Sequence, residues 1–289
     1  MPANLRDIKR RIVSVKNTRQ ITKAMKMVSG AKLKRAQERA ENSRPYADSI
    51  ERVLQRVLQS TGSEIEHALL TSHDEINKVL VVVVASDKGL CGSFNSTLFR
   101  RSRSFAADDL ADKEVTFRTY GKKARSFFAK YDVAGSEIDL HPTRFVELAQ
   151  DLANHMTAGF ESGEFEEVYL VYNRFKSVMT QVPTFKKVLP MVVEVDDDAP
   201  SDDGSEEYAY EPGGQKLLDT LLPLQLQTVL LQAFFDSEAG EHASRMTAMD
   251  AATRNASDLI DNLTLEYNRA RQAAITTEII EIVSGAEAI

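Results

Sequence analysis

Apolar and small side chains recur through the first 44 residues at Ile8, Ile12, Val15, Thr18, Thr22, Met25, Ser29, Leu33, Ala36 and Ala40. The mean step is close to one α-helical turn, and between Pro2 and Pro45 there is one glycine, Gly30, and no proline. The pattern predicts one long helix, which Ile50, Val53, Leu54, Val57 and Leu58 carry past Pro45 to about Ser60. At the other end, Gly240 and Gly285 bracket a stretch free of both glycine and proline. A strict three-four alternation runs through it: Met246, Met249, Thr253, Ala256, Ile260, Leu263, Tyr267, Ala270, Ala274 and Thr277. This is a heptad seam, the signature of a left-handed coiled coil; it extends back through Phe235, Ala239 and His242 and fails forward at Glu281.

Size gives these helices a meaning. A compact globule of 289 residues has a diameter of about 50 Å, and a helix of some 42 residues is already about 63 Å long. At least one end is therefore expected to project as a rod. The simplest way to bury two half-apolar stripes is to pair them, one from each terminus. The seam side chains are small, so the helices can approach closely, with a modest gain per layer. An ordinary helical bundle is the plainer alternative.

Between the two ends the period changes. Lys78 to Ser86 (KVLVVVVAS) is a continuous β-branched run, as in a strand buried on both faces. Glu114 to Tyr120 and Glu167 to Phe175 read as further strands, and Phe185 to Val195 as an edge strand interrupted by Pro190. Helical stretches at Ser93–Ala107, Gly121–Lys130 and Thr143–Ser162 separate them, and Thr220–Phe235 leads into the C-terminal helix. The predicted fold class is α/β: a long antiparallel coiled coil of N- and C-terminal helices plus a small, mostly parallel, Rossmann-like α/β domain. The predicted boundaries are 1–60 for the first shaft helix, 76–195 for the head, 196–214 for an acidic loop and 215–289 for the last helix.

Charge sharpens this division. Net charge is -7, yet residues 1–44 carry 13 Lys/Arg against 3 Asp/Glu. Residues 194–211 hold nine acids and no base, so 196–207 reads as a solvated loop. The longest apolar run, Val79 to Ala85, is too short to span a membrane, and no leading segment has the layout of a secretory signal. The lone Cys91 cannot form an intrachain disulfide, which fits a reducing compartment.

The search for chemistry yields little. The turn after the first strand, Asp87-Lys88-Gly89-Leu90-Cys91-Gly92-Ser93, lies where α/β sheets bind ligands but matches neither GxxxxGK[ST] nor GxGxxG. It reads as a tight strand-to-helix turn with Ser93 or Asn95 as cap. Cys91 reads as a small buried thiol rather than a nucleophile. The five histidines show no metal-ligand spacing. No catalytic, cofactor-binding or metal-ligating residue is assigned. The basic helix could meet nucleic acid, but its cations surround it and no aromatic residue lies in the first 45 positions to stack on bases; a positive rod within a negatively charged protein collar accounts for the charge equally well. A coiled-coil-armed α/β nucleotide-binding enzyme is the alternative of a different class.

The residues Ile8-Lys9-Arg10-Arg11-Ile12, Ser14 to Thr18 and Ile21 to Val28, with Arg245 to Met249, Ala252 to Ala256, Tyr267 to Thr276 and Glu281 to Gly285, resemble the two ends of the gamma subunits of F-type ATP synthases. Asp87 to Gly92 and Tyr210-Glu211-Pro212 fit the same pattern, so the resemblance runs the whole chain in order. It implies a non-catalytic central-stalk rotor without cofactor. Its paired helices would lie in a hexagon of alpha and beta subunits, and its head against the epsilon subunit and the c-subunit ring. Torque would pass between ring and hexagon during proton- or sodium-driven ATP synthesis, or during hydrolysis. The implied location is the cytoplasmic face of a bacterial inner membrane, reached through the c ring alone. By the same resemblance Met25, Arg271, Gln272 and Thr276 would meet the beta subunits, and Tyr208, Tyr210 and Glu211 the c ring and epsilon. Plant plastid members carry an inserted loop with two cysteines; this chain, with one, resembles the bacterial type.

Overall fold

A computed structural model describes residues 5–61, 67–73, 75–192 and 214–287. The acidic tract 196–207 and the contact residues Tyr208, Tyr210 and Glu211 lie outside the described residues. The chain forms two compact units, one from residues up to Ala31 together with those from Arg245 onward, the other from Lys32 to Ser244. Helix α1 (Leu5–Thr61) and helix α5 (Gly214–Glu287) each contribute to both. Pro45 and Pro223 sit inside these helices without ending them.

The larger unit is built on one five-stranded sheet. Its strands are β1 (Lys78–Val84), β2 (Glu114–Tyr120), β3 (Val133–Glu137), β4 (Glu167–Phe175) and β5 (Gln181–Leu189), in the order β3-β2-β1-β4-β5. The first four are parallel, and β5 runs antiparallel to β4. Helices α2 (Phe94–Asp108), α3 (Lys122–Phe128) and α4 (Phe145–Glu161) connect them. The all-apolar run of β1 is explained by burial on both sides. Leu80, Val82 and Val84 join Leu54 and Val57 of α1, Leu148, Leu152 and Met156 of α4, and Leu218, Leu222, Leu226 and Leu230 of α5. Val79, Val81 and Val83 join Leu98 and Phe99 of α2 and Phe128 of α3 on the other side. Each of the four α5 leucines, withdrawn from water, contributes about 1.5–3 kcal/mol. By length and composition alone one window of α5 could cross a membrane; these leucines cover the sheet instead.

Two details depart from the sequence-based expectation. Strand β3 carries small, half-exposed residues and has no apolar signal. Strand β5 starts four residues earlier than predicted and stops before Pro190; it contains Pro183 opposite Asn173, a proline tolerated because β5 is an edge.

An ionic cluster ties the strands together near the start of β4. Glu167 is 4% exposed. Lys187 Nζ donates to its Oε1 at 2.6 Å, Lys113 Nζ to its Oε2 at 3.0 Å, and the Tyr169 hydroxyl to Oε2 at 3.3 Å. Burial pushes the Glu167 carboxyl up, but the two ammonium groups outweigh it and hold the group below its ordinary range.

Candidate functional site

The chemical candidate from the sequence is the turn after β1. Strand order reverses beside β1, which is where open α/β sheets leave a crevice for ligands. In this chain the crevice is filled by the protein's own groups. Phe234 of α5 packs edge-on against Tyr120 at 5.1 Å between ring centroids and stacks on Phe145 at 5.4 Å. Asn173 Nδ2 donates to the Phe94 carbonyl at 3.1 Å. Gly240 passes so close that a Cβ there would stand 3.0 Å from Phe94.

The polar groups of the turn are spent on the backbone. Asp87 accepts from the Lys122 amide at 2.9 Å and from the Leu140 amide at 2.6 Å, pinning α3 and the segment before α4 to the end of β1. Ser93 takes the N-cap position of α2, its carbonyl accepting from the Thr97 amide at 2.9 Å, but neither predicted cap bonds through its side chain to the helix amides. Ser93 makes no side-chain cap hydrogen bond. Asn95 reaches back instead, its Oδ1 accepting from the Ser86 amide at 3.2 Å and its Nδ2 donating to Ser86 Oγ at 2.7 Å. Cys91 is buried as expected. Gly121 has a φ of +100°, and a Cβ there would meet the Ala85 carbonyl oxygen at 2.7 Å, so only glycine lets α3 begin this close to β1. Among the described residues no three His, Cys, Asp or Glu side chains come together as a metal site would require.

The second candidate is the smaller unit, where the two ends of the chain pair. Thr253 Oγ1 donates to Thr22 Oγ1 at 2.8 Å, Lys26 bonds Asp250, and Gly30 faces the Met246 sulfur, where a Cβ would stand 3.3 Å away. As the α1 number rises the α5 number falls, so the pair is antiparallel. The Lys26 ammonium, with Arg254 at 3.3 Å, holds the Asp250 carboxyl below its ordinary range. Ile8, Thr22 and Ser29 of α1 and Met249, Ala256, Ile260 and Leu263 of α5 are buried along the seam. This is the predicted heptad line as far as Leu263. Beyond it Tyr267, Ala270 and Ala274 are half-buried and Thr277 is exposed.

Register explains the change. Lys26 opposite Asp250 and Gly30 opposite Met246 bring Leu5 opposite a position near Arg271. From there to Glu287, α5 has no opposite number among the described residues. This end still carries an apolar stripe: Ile275, Ile279 and Ile282 are 47%, 55% and 71% exposed. Val13, Ile21, Met27 and Val28 of α1 are likewise exposed. These residues escape a seam-based reading, although the signal is there, since apolar residues persist off the seam after Glu281 interrupts it.

Of the predicted contact residues, Met25 is half-buried on α1 within the paired stretch. Arg271, Gln272 and Thr276 are exposed together where the overhang begins, with Thr276 Oγ1 bonded to the Gln272 carbonyl at 2.9 Å. Met25 lies across from the region of Asp250, so about 30 Å of helix separates it from the other three. Lys9, Arg10, Arg11, Lys16 and Lys23 are exposed around α1 rather than along one face.

A family model described as ATP synthase matches residues 4–289. The chain is 44% identical over 289 residues to an ATP synthase gamma chain of Geotalea uraniireducens (strain Rf4), covering 99% of each. It is 44% identical over 295 residues to the ATP synthase gamma chain of Paracoccus denitrificans (strain Pd 1222), covering 100% of each. Among solved structures it resembles a chain of the central stalk and c ring of Tetrahymena thermophila mitochondrial ATP synthase, at a TM-score of 0.58 and 25% identity over 80% of this chain and 99% of that one. A chain of the Euglena gracilis mitochondrial ATP synthase rotor shares the fold, with a TM-score of 0.67 at 19% identity over 94% and 98%.

Proposed function

The chain belongs to the gamma-chain family of ATP synthases, and on that footing we propose that it is the rotor that carries torque between a membrane c ring and a catalytic hexagon of alpha and beta subunits. The observation that supports this best is the overhang of α5. A helix end that has no opposite residue among the described residues and keeps an apolar stripe in water is a surface made for another chain. A rotor needs no bond chemistry of its own. It needs a lopsided surface, so that each beta subunit meets different contacts and its conformations are weighted differently as the shaft turns. A two-helix stretch beyond which, among the described residues, α5 continues alone supplies such a surface.

In this reading Met25 faces a beta subunit along the paired stretch, and Arg271, Gln272 and Thr276 meet beta subunits higher up. Tyr208, Tyr210 and Glu211 meet the c ring and the epsilon subunit. The ring holds the subunit at the cytoplasmic face of a bacterial inner membrane, and the driving ion is a proton or sodium.

The test is reconstitution of the full chain with its own organism's alpha and beta subunits. The expected product contains one copy of this chain per hexagon and turns a bead attached to the chain when ATP is added. Replacing Arg271, Gln272 and Thr276 together by alanine is expected to slow rotation without lowering the melting temperature, since all three side chains are exposed. Absence of any complex with the hexagon, or ATP hydrolysis by the complex without rotation, refutes the proposal.

A further inference from the structure

Within the larger unit α5 is gripped in two different ways. From Leu218 to Phe234 it lies on the sheet through apolar side chains. Such contacts hold the helix by buried area and close packing, since turning it would lift these leucines off the sheet. From Gln232 onward, positions four apart on one face make directional ties instead. Ser43 Oγ of α1 donates to Gln232 Oε1 at 2.6 Å, and Gln232 Nε2 donates to Asp236 Oδ1 at 3.3 Å. The backbone amide of Phe175, at the end of β4, also bonds the Asp236 carboxylate. One turn further, Gly240 presses against Asn173 and Phe94, and Ser244 Oγ donates to Gln181 Oε1 of β5 at 2.7 Å. On the adjoining face Arg39 Nη2 of α1 reaches both oxygens of Glu238 at 2.7 and 2.8 Å.

Asp236 is the centre of this arrangement. It is 4% exposed, and burial raises its carboxyl above the ordinary range against the pull of Gln232, Arg44, Arg174 and the Phe175 amide. Tyr172, beside it on β4, is pushed up to about 12 by burial and by the Asp236 charge. Turning α5 by one residue position, about 100°, would carry Asp236 and Gln232 off their partners and leave buried polar groups unpaired.

We infer that the Ser43–Gln232–Asp236–Phe175 chain of hydrogen bonds is a clamp that fixes the azimuth of α5 on the α/β sheet, making Asp236 a positioning residue for torque transfer. The inference rests on the rotor reading above. It assigns the clamp, in addition to the leucine contacts, a part in stopping the helix from slipping when the sheet is pushed sideways.

The experiment uses the complete complex, with alpha, beta, epsilon and the c ring, in sealed liposomes. ATP hydrolysis and ATP-driven ion uptake are measured on the same preparation. Asp236→Leu and Gln232→Leu are expected to leave hydrolysis in place and to lower ions moved per ATP by about twofold or more, because the directional bonds are lost while the volume is kept. Asp236→Asn keeps an oxygen for the Phe175 amide and is expected to hold the wild-type ratio. Gln232→Leu carries the same test should Asp236→Leu not fold. A ratio unchanged in both leucine variants, with both rates falling together as less complex assembles, overturns the clamp and leaves a structural role. A ratio lost in Asp236→Asn as well overturns the hydrogen-bond account. If the wild-type chain forms no complex, it is the rotor reading that fails.

Discussion

Replacing Phe234 by alanine tests whether the crevice beside β1 is closed by this side chain. Phe234 is fully buried, edge-on to Tyr120 and stacked on Phe145. Cutting a buried phenylalanine to alanine costs about 3–5 kcal/mol, and each of its two ring pairs supplies about 0.5–1.5 kcal/mol of that. Against a typical stability of about 5–15 kcal/mol this is a severe loss. Because the chain has two compact units, a single global transition is not assured, and the reporter must be local. The sequence has no tryptophan, and seven of its eight tyrosines fall between Lys32 and Ser244, so near-ultraviolet tyrosine dichroism in a urea titration follows the larger unit that Phe234 packs within. With a slope of about 2 kcal/mol per molar urea, the midpoint should fall by about 1.5–2.5 M. A fall below about 0.5 M would mean that the site repacks freely and that Phe234 does not plug it. Calorimetry with ATP adds a second check: the void is lined by rings and should stay without nucleotide. Binding by the variant would reveal a latent ligand bay and refute the view that the crevice has no use beyond packing.

Two further outcomes follow from the packing. Glu167→Gln should destabilise the larger unit by about 1–3 kcal/mol at neutral pH, since Lys113 and Lys187 lose the charge they share. The folded carboxyl lies below its ordinary value of 4.5, so the stabilisation is complete above that pH and drains away as pH falls through the lower, folded value. Urea midpoints of the two proteins should therefore converge in acid, and a gap of the same size at pH 7 and pH 3 would refute the ionic reading. In the paired helices, Gly30→Leu drives a side chain into the Met246 sulfur and should cost about 1–3 kcal/mol; unchanged amide exchange at Thr22 to Ser29 would count against that close approach.

The long helices are legible in the sequence because their signal is periodic and sustained. Ala36, Ala40, Ile50, Leu54 and Val57 are all buried where the sequence pattern puts them. The double-sided burial of β1 is equally plain, since consecutive valines have no other use in a short run. What escapes has a local cause. Strand β3 is five residues of mostly small side chains at a sheet edge, held by β2 rather than by its own pattern. Asn95 looks like a cap by position, but the nearby Ser86 amide and hydroxyl offer it partners that no local rule anticipates. The heptad line is ten positions long in the sequence, and its last part loosens where α5 has no opposite residue among the described residues. That depends on register, which is fixed by Lys26, Gly30 and their partners rather than by either stripe alone. The clamp around Asp236 joins residues almost two hundred positions apart, and nothing in the sequence marks it.

The use of α5 as a wall of the sheet's core has a consequence for biosynthesis. When the ribosome has delivered β5, every strand exists, yet Leu80, Val82 and Leu170 still lack the leucines at 218, 222, 226 and 230 that cover them. The nascent head, already covered on that face by α1 and α4, therefore waits for the part of its cover that α5 supplies. That face is completed only once this part of α5 has been made.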